Sequence, residues 1–303
     1  MDASTRPPQH NSQGRMRIAA ALAALFLQAT LAQTATDTQE IESNKNQMTT
    51  SGSSELAFAP VHSGEESIEL SARYSEQSTS LVDSVYWKVS SPDGSVVFEK
   101  STSVASLSAQ PGDYKIEVRY GTAVFEQKIT VQQGMKLNLN FVLNAGALRV
   151  LPRVKGIDDS GIERSSKIFA LSGISKGQLI ATSFVPGEII KLSAGDYRIE
   201  SKFKNGNAVA VTDVRVKPGK VSAANIDHLA GLANFSFLGA ANSIVHWEIK
   251  SSEGVYLQAQ DGMQVSFILS PGHYEAKAEI GSQKLNANFD LDQGQVRNIE
   301  LGN

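Results

Sequence analysis

One acidic loop, one basic stretch and five histidines are where this sequence carries residues able to do chemistry. The run Asp158-Asp159-Ser160-Gly161-Ile162-Glu163 sets three carboxylates, Asp158, Asp159 and Glu163, beside a glycine. Such hard oxygen donors suit Ca²⁺. The run lacks the spacing of the twelve-residue calcium loop, and a solvated acidic turn is the commoner use of such residues. Around it, Arg149, Arg153, Lys155, Arg164 and Lys167 gather five cations within a short stretch. Such a patch could meet an anionic polysaccharide or another envelope component, although solvated strand faces carry the same charges. The histidines, His10, His62, His228, His246 and His273, are scattered without ligand spacing. No metal and no cofactor is expected.

The chain is read as lacking a serine-hydrolase elbow, a zinc-protease His-Glu-x-x-His, a P-loop and a dinucleotide glycine pattern, so no enzyme is expected. Aromatic residues are the other candidates. Trp87, Trp247, Tyr114, Tyr197 and Tyr274 could form a platform for sugar rings or could pin a core. The choice depends on the elements that hold them.

The 303 residues suffice for two or three domains, and 41% hydrophobic with 19% charged residues suits folded domains. A formal net charge of -3 argues against nucleic acid as a partner. The absence of cysteine excludes disulfides, thiolate metal sites, cysteine nucleophiles and a lipidated N-terminal cysteine. Arg15 and Arg17 precede an apolar run from Ile18 to Leu27, and Thr30-Leu31-Ala32 offers a cleavage site. That order predicts a signal peptide over 1–32, with Met1 or Met16 as the start. The run is shorter than the roughly 20 residues that span a bilayer, so no stable membrane insertion is expected after cleavage. The mature protein is expected in the periplasm or outside the cell. Residues 33–54 are mostly Gln, Thr, Ser, Asn and charged residues and predict a disordered tether.

The remainder repeats. Trp87 to Gly94 and Trp247 to Gly254 both span seven residues, and Trp87 to Tyr114 and Trp247 to Tyr274 both span 27. A middle copy keeps these distances from Ala170, to Gly177 and to Tyr197. Glycines follow each tyrosine at Gly134, Gly219 and Gly294, and again at Gly146 and Gly231. Units are therefore expected at about 55–145, 146–230 and 231–303. Within them the hydrophobic period is two, as in Tyr114, Ile116, Val118 and Tyr120. Short strands without helical crossovers predict an all-β chain of three tandem antiparallel β-sandwich domains.

Each unit carries a Gly-x-Tyr turn, at Gly112/Tyr114, Gly195/Tyr197 and Gly272/Tyr274. Glycine is expected to supply a positive φ, and tyrosine to sink its ring into the core while its hydroxyl bonds the turn. A buried Tyr or Trp ring contributes about 4–6 kcal/mol on area grounds, so these residues read as structural anchors before ligand platforms. The Pro-Gly-x-Tyr turn with its alternating strand resembles the Ig-like or transthyretin-like repeats of bacterial surface proteins, the carboxypeptidase-regulatory-like and Cna-B-like modules. The segment Asn144-Ala-Gly-Ala-Leu-Arg-Val150 is similar to a join that recurs in exported proteins of alphaproteobacteria. The resemblance implies stalks, spacers or accessories that bind carbohydrate or protein, and no site residue. The Lys–Asn crosslink of some Cna-B-like domains finds no matching motif here. The expected role is a non-enzymatic envelope protein, a stiff rod presenting loops to an envelope protein or polysaccharide. A set of carbohydrate-binding modules is the alternative.

Overall fold

The computed structural model describes residues 52–239 and 244–302. The signal peptide, nearly all of the tether, the alternative starts and His10 lie outside the described residues. Alternation in the sequence becomes strands throughout, and no helix occurs among the described residues.

The first set holds β1 (Ser53–Pro60), β2 (Ser67–Arg73), β3 (Val85–Ser90), β4 (Val96–Thr102), β5 (Val104–Ser108), β6 (Gly112–Tyr120), β7 (Ala123–Val131) and β8 (Met135–Val142). The second holds β9 (Ala145–Val154), β10 (Arg164–Ala170), β11 (Leu179–Ser183), β12 (Ile189–Ser193), β13 (Gly195–Phe203), β14 (Val209–Val216) and β15 (Val221–His228). The third holds β16 (Gly231–Leu238), β17 (His246–Ser251), β18 (Tyr256–Asp261), β19 (Gln264–Leu269), β20 (Gly272–Ile280), β21 (Gln283–Leu291) and β22 (Val296–Gly302).

Each set forms two sheets in one repeated order. The larger sheets run β4-β3-β6-β7, β11-β10-β13-β14 and β18-β17-β20-β21. Facing them are β1-β8-β2-β5, β12-β9-β15 and β19-β16-β22. One pairing departs from the antiparallel expectation. Strands β2 and β8, β9 and β15, and β16 and β22 run parallel. The reason is parity: strand direction reverses at every connection, and six reversals separate the first and seventh strands of a set. The first set alone adds a strand, β1, which pairs antiparallel with β8 and starts at Ser53.

Three cores lie between the sheet pairs. Leu70, Trp87, Val118, Phe125 and Phe141 are central in the first, Ile168, Leu192, Ile199 and Ile226 in the second, and Phe235, Trp247, Phe267 and Phe289 in the third. A fourth cluster, with Val154, Phe203, Ala208, Leu232 and Ile268, bridges the second and third sandwiches.

Candidate functional site

The repeated aromatics are held alike. The hydroxyls of Tyr114, Tyr197 and Tyr274 donate to the carbonyls of Gln110, Ser193 and Ser270, each four residues upstream, at 2.9, 2.7 and 2.5 Å. Trp87 and Trp247 are fully buried, and their indole N–H groups donate to the Thr102 and Gly262 carbonyls at 3.0 and 2.9 Å. Neither indole is free to stack on a ligand. The role given to the turn glycines needs correcting, because only Gly112 has a positive φ, +151°. At Gly272 a Cβ would make ordinary contact, 3.5 Å, with the Tyr274 hydroxyl that folds back over the turn.

The acidic loop is engaged locally. Asp159 accepts the Val154 amide at 2.7 Å and pairs with Arg164 at 3.0 Å. Asp158 accepts the Ser160 amide at 3.0 Å, and this neighbour holds its carboxyl below the usual range. Glu163 pairs with Lys204 at 2.7 Å. Among the described residues no group of three His, Cys, Asp or Glu side chains is placed to hold a metal ion.

The five cations do not share a surface. Arg149 and Arg153 are exposed on β9, and Arg153 pairs with Asp227 at 2.6 Å. Lys155 is exposed in the following turn, whereas Lys167 is exposed on β10, in the opposite sheet. Outward faces of the two sheets point away from each other, so Lys167 stands apart from Arg149 and Arg153.

Arg164 is not a surface cation at all: it is 8% exposed. Its guanidinium donates to the carbonyls of Pro152, Ile162 and Asp159 and lies over the Phe203 ring, 4.7 Å from its centre. Phe203 meets His228 edge-on at 4.8 Å, and the His228 Nε2 is 3.0 Å from the Ser201 Oγ. Burial, reinforced by the Arg164 charge, pulls the His228 pKa down to about 4; Asp159 and the Ala208 backbone oppose the shift. Sequence reading missed this cluster although its signal was present. Arg164 shares parity with Ile168 and Ala170, and His228 with Ala224 and Ile226, so each belongs on an inward face.

Gly173-Ile174-Ser175-Lys176-Gly177 does have the Gly-x-Ser-x-Gly spacing read as absent. It closes a turn between antiparallel β10 and β11, with the Gly177 amide donating to the Ala170 carbonyl at 2.7 Å. A nucleophile elbow needs a strand leading into a helix and a histidine base. Here no helix follows, and His62, His228, His246 and His273 are engaged with Glu65, Ser201, Asp261 and Asp290.

The most elaborate polar geometry lies between sandwiches. At the first junction the β6–β7 turn lies on β12: the Thr122 amide donates to the Lys191 carbonyl at 3.0 Å, and the Lys191 ammonium sits 5.1 Å from the Tyr120 ring centre. At the second, the β13–β14 turn lies on β19. The Ile268 amide donates to the Asn205 carbonyl at 2.9 Å, the Asn205 side-chain amide to Gln260 at 2.6 Å, and the Gly206 amide to Gln258 at 2.7 Å. The Asn207 carbonyl oxygen of the side chain accepts the Ser270 amide at 2.9 Å.

Open depressions are shallow by comparison. One of about 510 Å³ crosses the outer face of the first sandwich, where Glu55, Glu69, Ser71 and Asn140 already bond or pair with their neighbours. Another of about 470 Å³ lies between the acidic loop and the Phe184–Pro186 loop, whose Phe184 and Val185 are 69% and 63% exposed.

Residues 75–143 match the Rhizobiales growth-associated tandem repeat domain. The matched stretch covers β3 to β8, and the same strand order recurs twice downstream. No curated protein matches the chain. Among solved structures, the chain is similar to the Bacillus anthracis TIE protein at 15% identity, covering 78% of this chain and 50% of that one, with a TM-score of 0.25. It thus spans half the length of that protein. It is also similar to a streptococcal ancillary pilin, at 11% identity over 78% of this chain and 98% of that one, TM-score 0.30. BcpA, the major pilin subunit of Bacillus cereus, shares 10% identity over 78% and 99% of the two chains, TM-score 0.21. At these scores the fold assignment rests on the strand pairing and not on the likeness.

Proposed function

We propose that this chain is a non-enzymatic structural and binding protein of the cell envelope, exported through its N-terminal signal to the periplasm or the cell surface. Three sandwich units, at about 55–145, 146–230 and 231–303, form a stiff rod that presents loops to an envelope protein or polysaccharide. The repeated junction carries this reading. Neighbouring units are joined by only two residues, Leu143 and Asn144 in the first case and Leu229 and Ala230 in the second, and are locked by a hairpin tip hydrogen-bonded to an edge strand. A protein with an active site would invest its polar geometry around a pocket; here it is invested in alignment. The alternative set of carbohydrate-binding modules lacks its stacking platform, since both indoles are buried.

Small-angle scattering from the dilute chain should give a maximum dimension fitting three sandwiches in line, and a compact globule would overturn the rod. Capture of envelope material should identify the partner. Replacing Phe184 and Val185 together by serine should abolish capture at unchanged melting temperature. Capture that survives would place the contact away from this loop.

A further inference from the structure

Both junctions set a hairpin glycine against the backbone of an edge strand, the Thr122 amide donating to the Lys191 carbonyl in the first and the Ile268 amide to the Asn205 carbonyl in the second. The third sandwich carries a hairpin of the first kind with no receiver among the described residues. At Gly121, with φ +60°, a Cβ would fall 2.2 Å from the Lys191 carbonyl oxygen; at Gly206, with φ +135°, it would fall 1.8 Å from that of Ile268. Both receivers lie on the fourth strand of the seven-strand set, at a sheet edge, six residues before the corner tyrosine (Lys191 before Tyr197, Ile268 before Tyr274). The third sandwich presents the same hairpin between β20 and β21. Gly281 has φ +55°, Ser282 stands where Thr122 stands, and no described residue lies within 4 Å of a Cβ built on Gly281.

Burial around these turns tells the same story. Six residues beyond the corner tyrosine stand Tyr120, Phe203 and Ile280. The first two are 5% and 0% exposed under the next sandwich, whereas Ile280 is only partly covered. Leu238 and Ile244, at the same end of the third sandwich, are 47% and 77% exposed. In the first sandwich the receiver position falls on Ser108, six residues before Tyr114, exposed on the edge strand β5. The loop before β2 covers only another part of that pole, the Val61 amide donating to the Gly134 carbonyl at 2.8 Å.

We propose that the Gly281–Ser282 turn docks on the Ser108 edge of a second copy of this chain, giving head-to-tail association. The inference deepens the rod reading and rests on it for the in-line continuation. Donor and receiver are different patches, so the contact is heterologous, and on an in-line rod it continues from copy to copy. Inside the chain the junction works at the high effective concentration set by a short join, so between chains it is expected to need roughly 0.1–1 mM protein.

The absence of cysteine gives a clean test. The full chain carrying Ser108→Cys and Ser282→Cys should form a ladder of covalent oligomers on mild oxidation in that concentration range. Mixed single variants should give a heterodimer, and neither single variant alone should cross-link. Thr122→Cys with Lys191→Cys, which should close within one chain, reports that the turn-to-edge distance permits a bridge. A monomer in all intermolecular arms while this control closes would overturn the proposal. Equally strong dimerisation of the Ser282→Cys variant alone would replace it with a tail-to-tail contact. Scattering from the dilute monomer judges the rod independently, so the two readings fail separately.

Discussion

Gly206 and Ile268 pair as a parallel β-bridge across the second junction, with a methyl-sized space so completely missing that a Cβ on Gly206 would stand 1.8 Å from the Ile268 carbonyl oxygen. Two sandwiches are thus aligned through backbone contact that a side chain would prevent.

Gly206→Ala should therefore separate the sandwiches. A clash with backbone cannot be relieved by a rotamer change, and the positive φ adds strain, so a loss of about 2–4 kcal/mol is expected. Gly281→Ala, with open space around it, should cost only about 1 kcal/mol. Calorimetry on the two variants checks the difference: the first should split or lower the transition, and the second should barely move it.

Arg164→Met should destabilise by about 3–5 kcal/mol, because the poorly exposed Asp159 and three carbonyls lose their common donor. Arg153→Ala, which breaks an exposed pair with Asp227, should leave the denaturation midpoint almost unchanged. Urea titrations of both variants would show whether the two arginines differ as their burial requires.

His228 sets a pH dependence. Its folded pKa lies at about 4, below its ordinary 6.5, so between these values the unfolded chain binds more protons. The contribution of neutral His228 is fully present above about pH 6.5 and is lost as pH falls towards 4. Urea midpoints measured from pH 7.5 to 4 should fall through this window, and His228→Gln should flatten the fall. An unchanged slope in the variant would assign the dependence to the carboxylates.

Tyr197→Phe removes the hydroxyl that reaches the Ser193 carbonyl and should cost about 0.5–1.5 kcal/mol without altering the fold. Trp247→Ala should cost about 3–5 kcal/mol through the cavity it leaves. Because both indoles are buried, adding envelope polysaccharide should not quench tryptophan emission even if the protein binds it elsewhere.

The all-β class was legible because the period-two pattern is local, and the repeat because Trp-to-Tyr distances survive in three copies. The distance itself has a physical basis: each indole N–H reaches a carbonyl 15 residues on, and each tyrosine hydroxyl one four residues back, so insertions there would break bonds. Arg164 was misplaced because charge was read before parity. Its position on an inward face outweighs its type once a carboxylate and three carbonyls are supplied. The junctions were not legible. Gly121 and Gly206 look like ordinary hairpin glycines, and only the approach of Lys191 and Ile268, 70 and 62 residues away, reveals why no larger residue stands there.

The parallel pairing of first and last strands has a mechanical consequence. In the second and third sandwiches the chain comes in along β9 or β16 and leaves along its neighbour in the same direction, so it departs at the pole opposite to its arrival. Tension applied through the chain therefore shears the two strands lengthwise past each other. The evenly spaced bonds of a parallel ladder then share the load instead of opening one after another. A tether of such units resists pulling through its slowest step, the simultaneous loss of a whole ladder.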